Sequence, residues 1–273
     1  MDITGNAFVT GGGSGIGKAV CLALAKEGAS GVLIVDVDLK AAETTATEAT
    51  AVASNPSFRA EAINADVTVE ESVKEAVARM ARSFGRVDYC VHCAGITVRS
   101  CTPIDEASFS EFQVLLSNHV HGTFLVTSKI SALMKTQELK PLDTASPQLG
   151  GVRGAIVNLG SVLSNWAIPG MVPYTAAKHA VLGICRTAAI DHAASGIRVN
   201  CICPTWVDTP ILYRTMELTP GLDSETVLRG IPMNRICTPK EVADATLFLC
   251  SPRSSFITGI ALNVDGGHDI ARF

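Results

Sequence analysis

The chain has 273 residues, 47% hydrophobic and 18% charged, with a formal net charge of −4. That length and apolar content suit one domain built on a parallel sheet buried on both faces, and the acidic balance argues against a nucleic acid or an anionic membrane as partner. No run of about 18 apolar residues exists, and a strand-like run follows Asp2 at once, so neither a membrane span nor a signal peptide is read and a cytoplasmic protein is expected.

Strand-like apolar runs alternate with helical patterns along the whole chain. This predicts βαβ units and an α/β fold, with residues 1–273 forming a single domain without internal repeats. Strands are expected at 6–10, 31–36, 58–63, 87–92, 154–159, 197–203 and 260–264. Helices are expected at 15–27, 38–53, 69–84, 108–134, 174–194 and 239–250, with Gly85 and Gly196 as stops. The stretch 135–153, with its prolines and paired glycines, reads as an extended surface loop, a tolerated insertion rather than a partner-facing excursion.

The first strand runs directly into Gly11 to Gly17 and then into a helix. Gly11, Gly13, Ser14, Gly15, Ile16 and Gly17 therefore build an anion site: free backbone N–H groups and the positive helix end face a diphosphate, and the absent side chains let it approach. The letters are T-G-x-x-x-G-I-G rather than G-x-G-x-x-G, so the dinucleotide fingerprint is met in mechanism and not in spacing. Asp36 ends the second strand, nineteen residues after Gly17, where a ribose diol would be bound.

Tyr174 and Lys178 lie four apart, one helical turn from each other on one face. A phenol with an ordinary pKa of about 10 is a poor base at neutral pH, and a fixed ammonium favours its phenolate. Such a tyrosine can take a proton from an alcohol or return it to an alkoxide, with Ser161, thirteen residues upstream, holding the reacting oxygen. Nine cysteines and six histidines invite a metal reading. The odd cysteine count, the opposed faces of Cys90 and Cys93 on a strand, and the absence of grouped carboxylates argue instead for buried thiols and no metal.

These motifs, in this order and with these gaps, resemble the short-chain dehydrogenase/reductase family over essentially the whole chain. The resemblance implies a Rossmann-type, doubly wound parallel sheet of about seven strands and NAD as cofactor. In the family pattern Asp66 and Val67 contact the adenine, and Cys93, Ala94 and Gly95 lie in the turn after the fourth strand. Pro204, Val207 and Thr209 belong to the segment that closes over the nicotinamide. Ser161, Tyr174 and Lys178 form the catalytic set, with Lys178 also on the nicotinamide ribose. The segment 209–232 becomes a lid over the substrate, and with Trp166, Ile168, Met171, Trp206 and Tyr213 it would line an apolar pocket. No paired Arg or Lys serves that pocket, which implies a neutral, fairly lipophilic small-molecule substrate. The two long helices imply a homodimer or homotetramer.

Three departures stand out. The N-N-A-G turn reads His92-Cys93-Ala94-Gly95, and Thr205 replaces a glycine after Pro204. On the helix 108–134, His119 occupies the slot of the family's catalytic asparagine, with Asn118 one residue early. A one-residue shift turns a side chain by about 100°, so Asn118 is not expected to substitute. The leading expectation is an NAD-dependent interconversion of a secondary alcohol and a ketone. The altered residues motivate the alternative, a dinucleotide-binding protein with redirected, non-redox or regulatory chemistry.

Overall fold

A computed structural model describes residues 3–142, 150–219 and 221–271. Residues 143–149, inside the loop expected over 135–153, lie outside the described residues, as do 1–2, 272–273 and position 220 within the segment 209–232.

Every expected strand forms. Seven of them, β1 (Asn6–Thr10), β2 (Gly31–Asp36), β3 (Arg59–Asn64), β4 (Tyr89–His92), β7 (Gly154–Leu159), β8 (Ile197–Pro204) and β9 (Ala261–Val264), pair in the order β3-β2-β1-β4-β7-β8-β9. All of these pairings are parallel. Strand periodicity divides the apolar side chains between the two faces. Ala7, Val9, Val32 and Ile34 pack with α1 (Gly15–Lys26), α2 (Leu39–Val52) and α9 (Pro239–Cys250). Phe8, Leu33 and Val35 pack on the other face with α3 (Glu70–Phe84), α5 (Gly122–Thr136) and α6 (Val172–Ala193). Both faces are thus covered, which accounts for the near-continuous burial of β2 and β8. The cysteines follow the same rule. Cys90 faces one layer and Cys93 the other, Cys201 and Cys203 share a face with sulfurs 3.8 Å apart, and all nine are free thiols.

Local signals set the helix ends. Gly85 closes α3 at φ 73°, and Thr238 and Glu241 form a reciprocal cap on α9. The chain leaves β1 on one side of the sheet and β4 on the other, so their C-terminal ends bound the crevice where this sheet order binds ligands.

Three expectations need correction. The helix expected over 108–134 is α4 (Phe109–Leu115) and α5 joined through a π-helical turn at Leu116–His121. Part of the loop 135–153 forms a short antiparallel pair, β5 (Lys140–Pro141) with β6 (Gly151–Val152), and Lys140 ties it to Asp88 at 2.8 Å. The segment 209–232, read as a lid and given no helix from the sequence, carries α7 (Pro210–Leu218) and α8 (Ser224–Arg229). Each begins with a local helix-start signal, Pro210 in the first turn of α7 and the Asp223 carboxylate capping Thr226 on α8.

Candidate active site

Two cavities meet at the C-terminal edge of the sheet. The first, about 200 Å³, takes in Gly11 and Ser14 to Gly17 from the loop after β1. It also takes in Asp36, Asp66, Val67 and Cys93 to Gly95 from the ends of β2, β3 and β4. Glycine is required here. Gly11 and Gly15 hold φ of 63° and 50°, and a Cβ on Gly17 would stand 2.1 Å from the Gly11 carbonyl oxygen. Gly13 departs from its expected place in the diphosphate cradle. Its N–H donates to Asp36 Oδ2 at 2.8 Å, and a Cβ there would meet that same oxygen at 2.9 Å. Asp38 N–H bonds the other oxygen at 3.0 Å, so the Asp36 carboxylate is oriented by two amides.

The second cavity, about 280 Å³, holds Ser161, Tyr174, Trp166, Met171, Pro204, Trp206 and Val207. It shares Ile16, Leu159, Thr209 and Ile211 with the first, so the two are continuous. Ser161 ends an extended stretch after β7 and caps the next turn. Its Oγ accepts from Leu163 N–H at 3.2 Å, which leaves its own O–H to donate. Tyr174 lies in the first turn of α6, and Lys178 follows one turn later with its Nζ 5.4 Å from the phenol ring centre. Lys178 is buried, and its ammonium donates to the Leu159 carbonyl at 2.8 Å, which fixes the charge beside the phenol.

Tyr213 does not join this pocket. Its side chain is 52% exposed and its hydroxyl donates to Asp208 at 2.7 Å. α7 turns Leu212 and Thr215 inward, and the helical period carries position 213 to the outside.

The π-turn separates the two adjacent candidates. Asn118 faces the first cavity, its Oδ1 buried without a hydrogen-bond partner among the described residues. His119 points the other way, buried against Gly95 and edge-on to the Tyr174 ring, with centroids 5.4 Å apart. Its Nε2 lies 2.8 Å from the Ile96 carbonyl, which can only accept, so Nε2 carries the proton. Burial first, then the Lys178 charge, holds this imidazole well below its ordinary pKa, and it is neutral at pH 7. His92 is buried too. Its Nδ1 meets Thr10 Oγ1 at 2.7 Å, and that oxygen also accepts from Ala94 N–H at 3.2 Å, so the altered turn still joins β4 to β1. Burial and then Lys178 push His92 down to about 3, and burial pushes the Cys93 thiol up to about 12.

Several cavity residues gave no sequence signal. Thr97 enters from the loop after β4, Thr226 and Gly230 from the α8 region, and His268 from beyond β9. None sits at a motif spacing, and each arrives through tertiary packing.

A family model described as "Enoyl-(Acyl carrier protein) reductase" matches residues 11–269. The chain is 50% identical over 98% of its length to short-chain dehydrogenase fogB of Aspergillus ruber, covering 97% of that protein. It is 37% identical over 97% of its length to 2,5-dichloro-2,5-cyclohexadiene-1,4-diol dehydrogenase of Sphingobium indicum, covering 98% of that protein. Among solved structures, NAD+-bound xylitol dehydrogenase superposes with a TM-score of 0.86 at 28% identity, over 98% of this chain and all (100%) of that one. The chain belongs to the short-chain dehydrogenase/reductase family of oxidoreductases.

Proposed function

We propose that this protein uses NAD to interconvert a secondary alcohol and a ketone on a neutral, fairly lipophilic small molecule. The observation that carries the reading is the continuity of the two cavities, which sets Ser161 and Tyr174 beside the glycine loop. The residues present fit a dinucleotide: Gly11, Gly15 and Gly17 make a tight loop of bare backbone where a Cβ would clash or strain, and the Asp36 carboxylate is held in place for a ribose diol. Asp66, Val67, Ala94 and Gly95 would bound the adenosine, and Pro204, Val207, Thr209 and Lys178 the nicotinamide half. Bound NAD supplies a nicotinamide that exchanges a hydride directly with the carbinol carbon.

The chain's own groups manage the proton. The Ser161 O–H donates to the substrate oxygen and holds it at the mouth of the second cavity. Tyr174 takes the hydroxyl proton during oxidation and returns it during reduction. The Leu159 carbonyl holds the Lys178 ammonium beside the Tyr174 ring, with Nζ 5.4 Å from the ring centre. Trp166, Met171, Leu212 and Val227 exclude water around the substrate, with α7 and α8 as its cover. Among the described residues the cavity lining includes no Lys, Arg, Asp or Glu, which supports a neutral substrate.

We assign the whole chain to one domain, active in the cytoplasm as a homodimer or homotetramer. Among the described residues no helix is long and apolar enough to cross a membrane. The experiment is a panel of cyclic, aryl, steroid and sugar alcohols, following reduction of the cofactor. Turnover of a neutral cyclic or aryl alcohol is expected. Tight NAD binding with no turnover of any alcohol would favour the dinucleotide-binding alternative.

A further inference from the structure

The second cavity contains one imidazole, and it is delivered there by a built turn. After β9, Gly266 and Gly267 adopt φ of 58° and 90°, a left-handed path that side chains disfavour. Asp265 fastens this turn, with its carboxylate accepting from Gly267 N–H at 3.1 Å and from Asp269 N–H at 2.8 Å. The turn sets His268 into the cavity wall, edge-on to Trp166 with ring centroids 5.3 Å apart. Trp166 also packs in the apolar cluster that includes Tyr174.

One ring nitrogen of His268 is engaged, because Nδ1 hydrogen-bonds Thr205 Oγ1. Nε2 has no hydrogen bond among the described residues, and it faces Gly230, where a Cβ would stand 3.2 Å away. Burial keeps the ring below its ordinary pKa and so neutral, although Asp265 and Asp269 pull the other way. The cavity's threonines are turned elsewhere. Thr215 donates to the Ile211 carbonyl at 2.8 Å and meets Thr97 at 2.7 Å, Thr226 donates to the Gly221 carbonyl at 3.4 Å, and Thr209 donates to the Val207 carbonyl at 3.2 Å. A pocket whose threonine hydroxyls are spent on the protein, while one imidazole nitrogen at its wall stays unengaged, can orient a second polar group besides the one held by Ser161 and Tyr174.

We propose that His268 is a specificity-determining residue whose Nε2 hydrogen-bonds a second hydroxyl on the substrate, remote from the carbinol held by Ser161 and Tyr174. The preferred substrate is then a cyclic or aryl secondary alcohol, or its ketone, that carries a further hydroxyl. A hydroxyl both donates and accepts, so it is satisfied by either tautomer of His268. This inference rests on the dehydrogenase reading above.

The test compares cyclohexanol with the three cyclohexanediols, and 1-phenylethanol with its three hydroxyphenyl isomers. The wild type should prefer at least one hydroxylated member over its parent by about tenfold in kcat/KM, mainly through KM. His268→Phe keeps an aromatic edge for Trp166 but has no nitrogen, and it should erase that preference, costing the hydroxylated compound far more than the parent. Gly230→Ala is an independent probe. Its backbone φ of −79° accepts a side chain, whose methyl would cover Nε2 while the imidazole remains, so the preference should fall there too.

Equal losses for both members of a pair, or an unchanged ratio in both variants, would overturn the proposal. So would a wild type that prefers no hydroxylated member. If no alcohol turns over, the dehydrogenase reading falls separately, and calorimetric binding of the same pairs decides His268. Tighter binding of a hydroxylated member by the wild type but not by His268→Phe sustains its role, and equal binding removes it.

Discussion

The His119 imidazole meets the Tyr174 phenol edge to face, with ring planes at 85° and the Ile96 carbonyl holding its Nε2 proton. A neutral ring with a protonated Nε2 leaves Nδ1 as an acceptor. If that acceptor belongs to the path that replenishes the Tyr174 proton, His119→Asn, which restores the family's usual residue, should retain substantial activity. His119→Ala should lower kcat by about tenfold or more. Because the ring is already neutral, no inflection from its own protonation is expected between pH 6 and 9. Undiminished His119→Ala rates across that range would remove it from the mechanism.

Tyr174→Phe should lower turnover by about a thousandfold while leaving NAD affinity nearly unchanged, since it deletes only the proton-transfer group. Lys178→Ala should impair both, because it removes the buried ammonium beside the Tyr174 ring and the contact proposed for the nicotinamide ribose. Steady-state kinetics alongside cofactor titration separates the two effects. Full activity in Tyr174→Phe would end the acid/base assignment.

Buried His92 links stability to pH. Its folded pKa of about 3 lies below the value of about 6.5 expected when unfolded, so the unfolded state binds the extra proton first. Stability should therefore be full above about pH 6.5 and fall as the pH drops through the window down to about 3. At pH 5 this one residue costs on the order of 2 kcal/mol. His92→Asn should flatten the decline of melting temperature between pH 7 and 5. An equal slope in wild type and variant would show that His92 is not the titrating group.

NAD should bind at least about a hundredfold more tightly than NADP, because a 2′-phosphate would meet the Asp36 carboxylate, a like charge. That carboxylate cannot easily swing away, being held by the Gly13 and Asp38 amides. Neither Val37 nor Asp38 offers a compensating positive charge. Asp36→Ser should relax the discrimination. Tighter NADPH than NADH binding in a fluorescence titration would contradict the role given to Asp36.

The outer faces of α5 and α6 should mediate self-association. Phe124 on α5 is 58% exposed and Ile190 on α6 is 80% exposed, and a groove runs between the two helices past Ile184 and Ala188. Burying such apolar surface yields about 25 cal/mol per Å², which favours a second copy over water. Sedimentation at micromolar concentration should show a dimer or tetramer, and Phe124→Asp should shift it toward monomer. A monomeric wild type would refute this.

The sheet, its flanking helices, the glycine loop and the Tyr174/Lys178 pair were legible in the sequence because each depends on local rules. Strand runs declare themselves by length and composition, helix ends by caps and glycines, and two residues four apart on a helix must share a face. What the local pattern left open was direction. A straight helix over 108–134 does not show that a π-turn sends Asn118 to the first cavity and His119 to Tyr174, because the turn is set by tertiary packing, here against α6. The apolar letters of 209–232 do not show which side of α7 docks, so Tyr213 read as lining the pocket when the docked face is Leu212 and Thr215. The glycine spacing places Gly13 in the phosphate cradle, whereas in the fold its amide donates to the Asp36 carboxylate. His268 lies far from every other cavity residue in the chain, and only the closure of β9 beside β8, with the glycine turn that follows, brings its ring to Trp166.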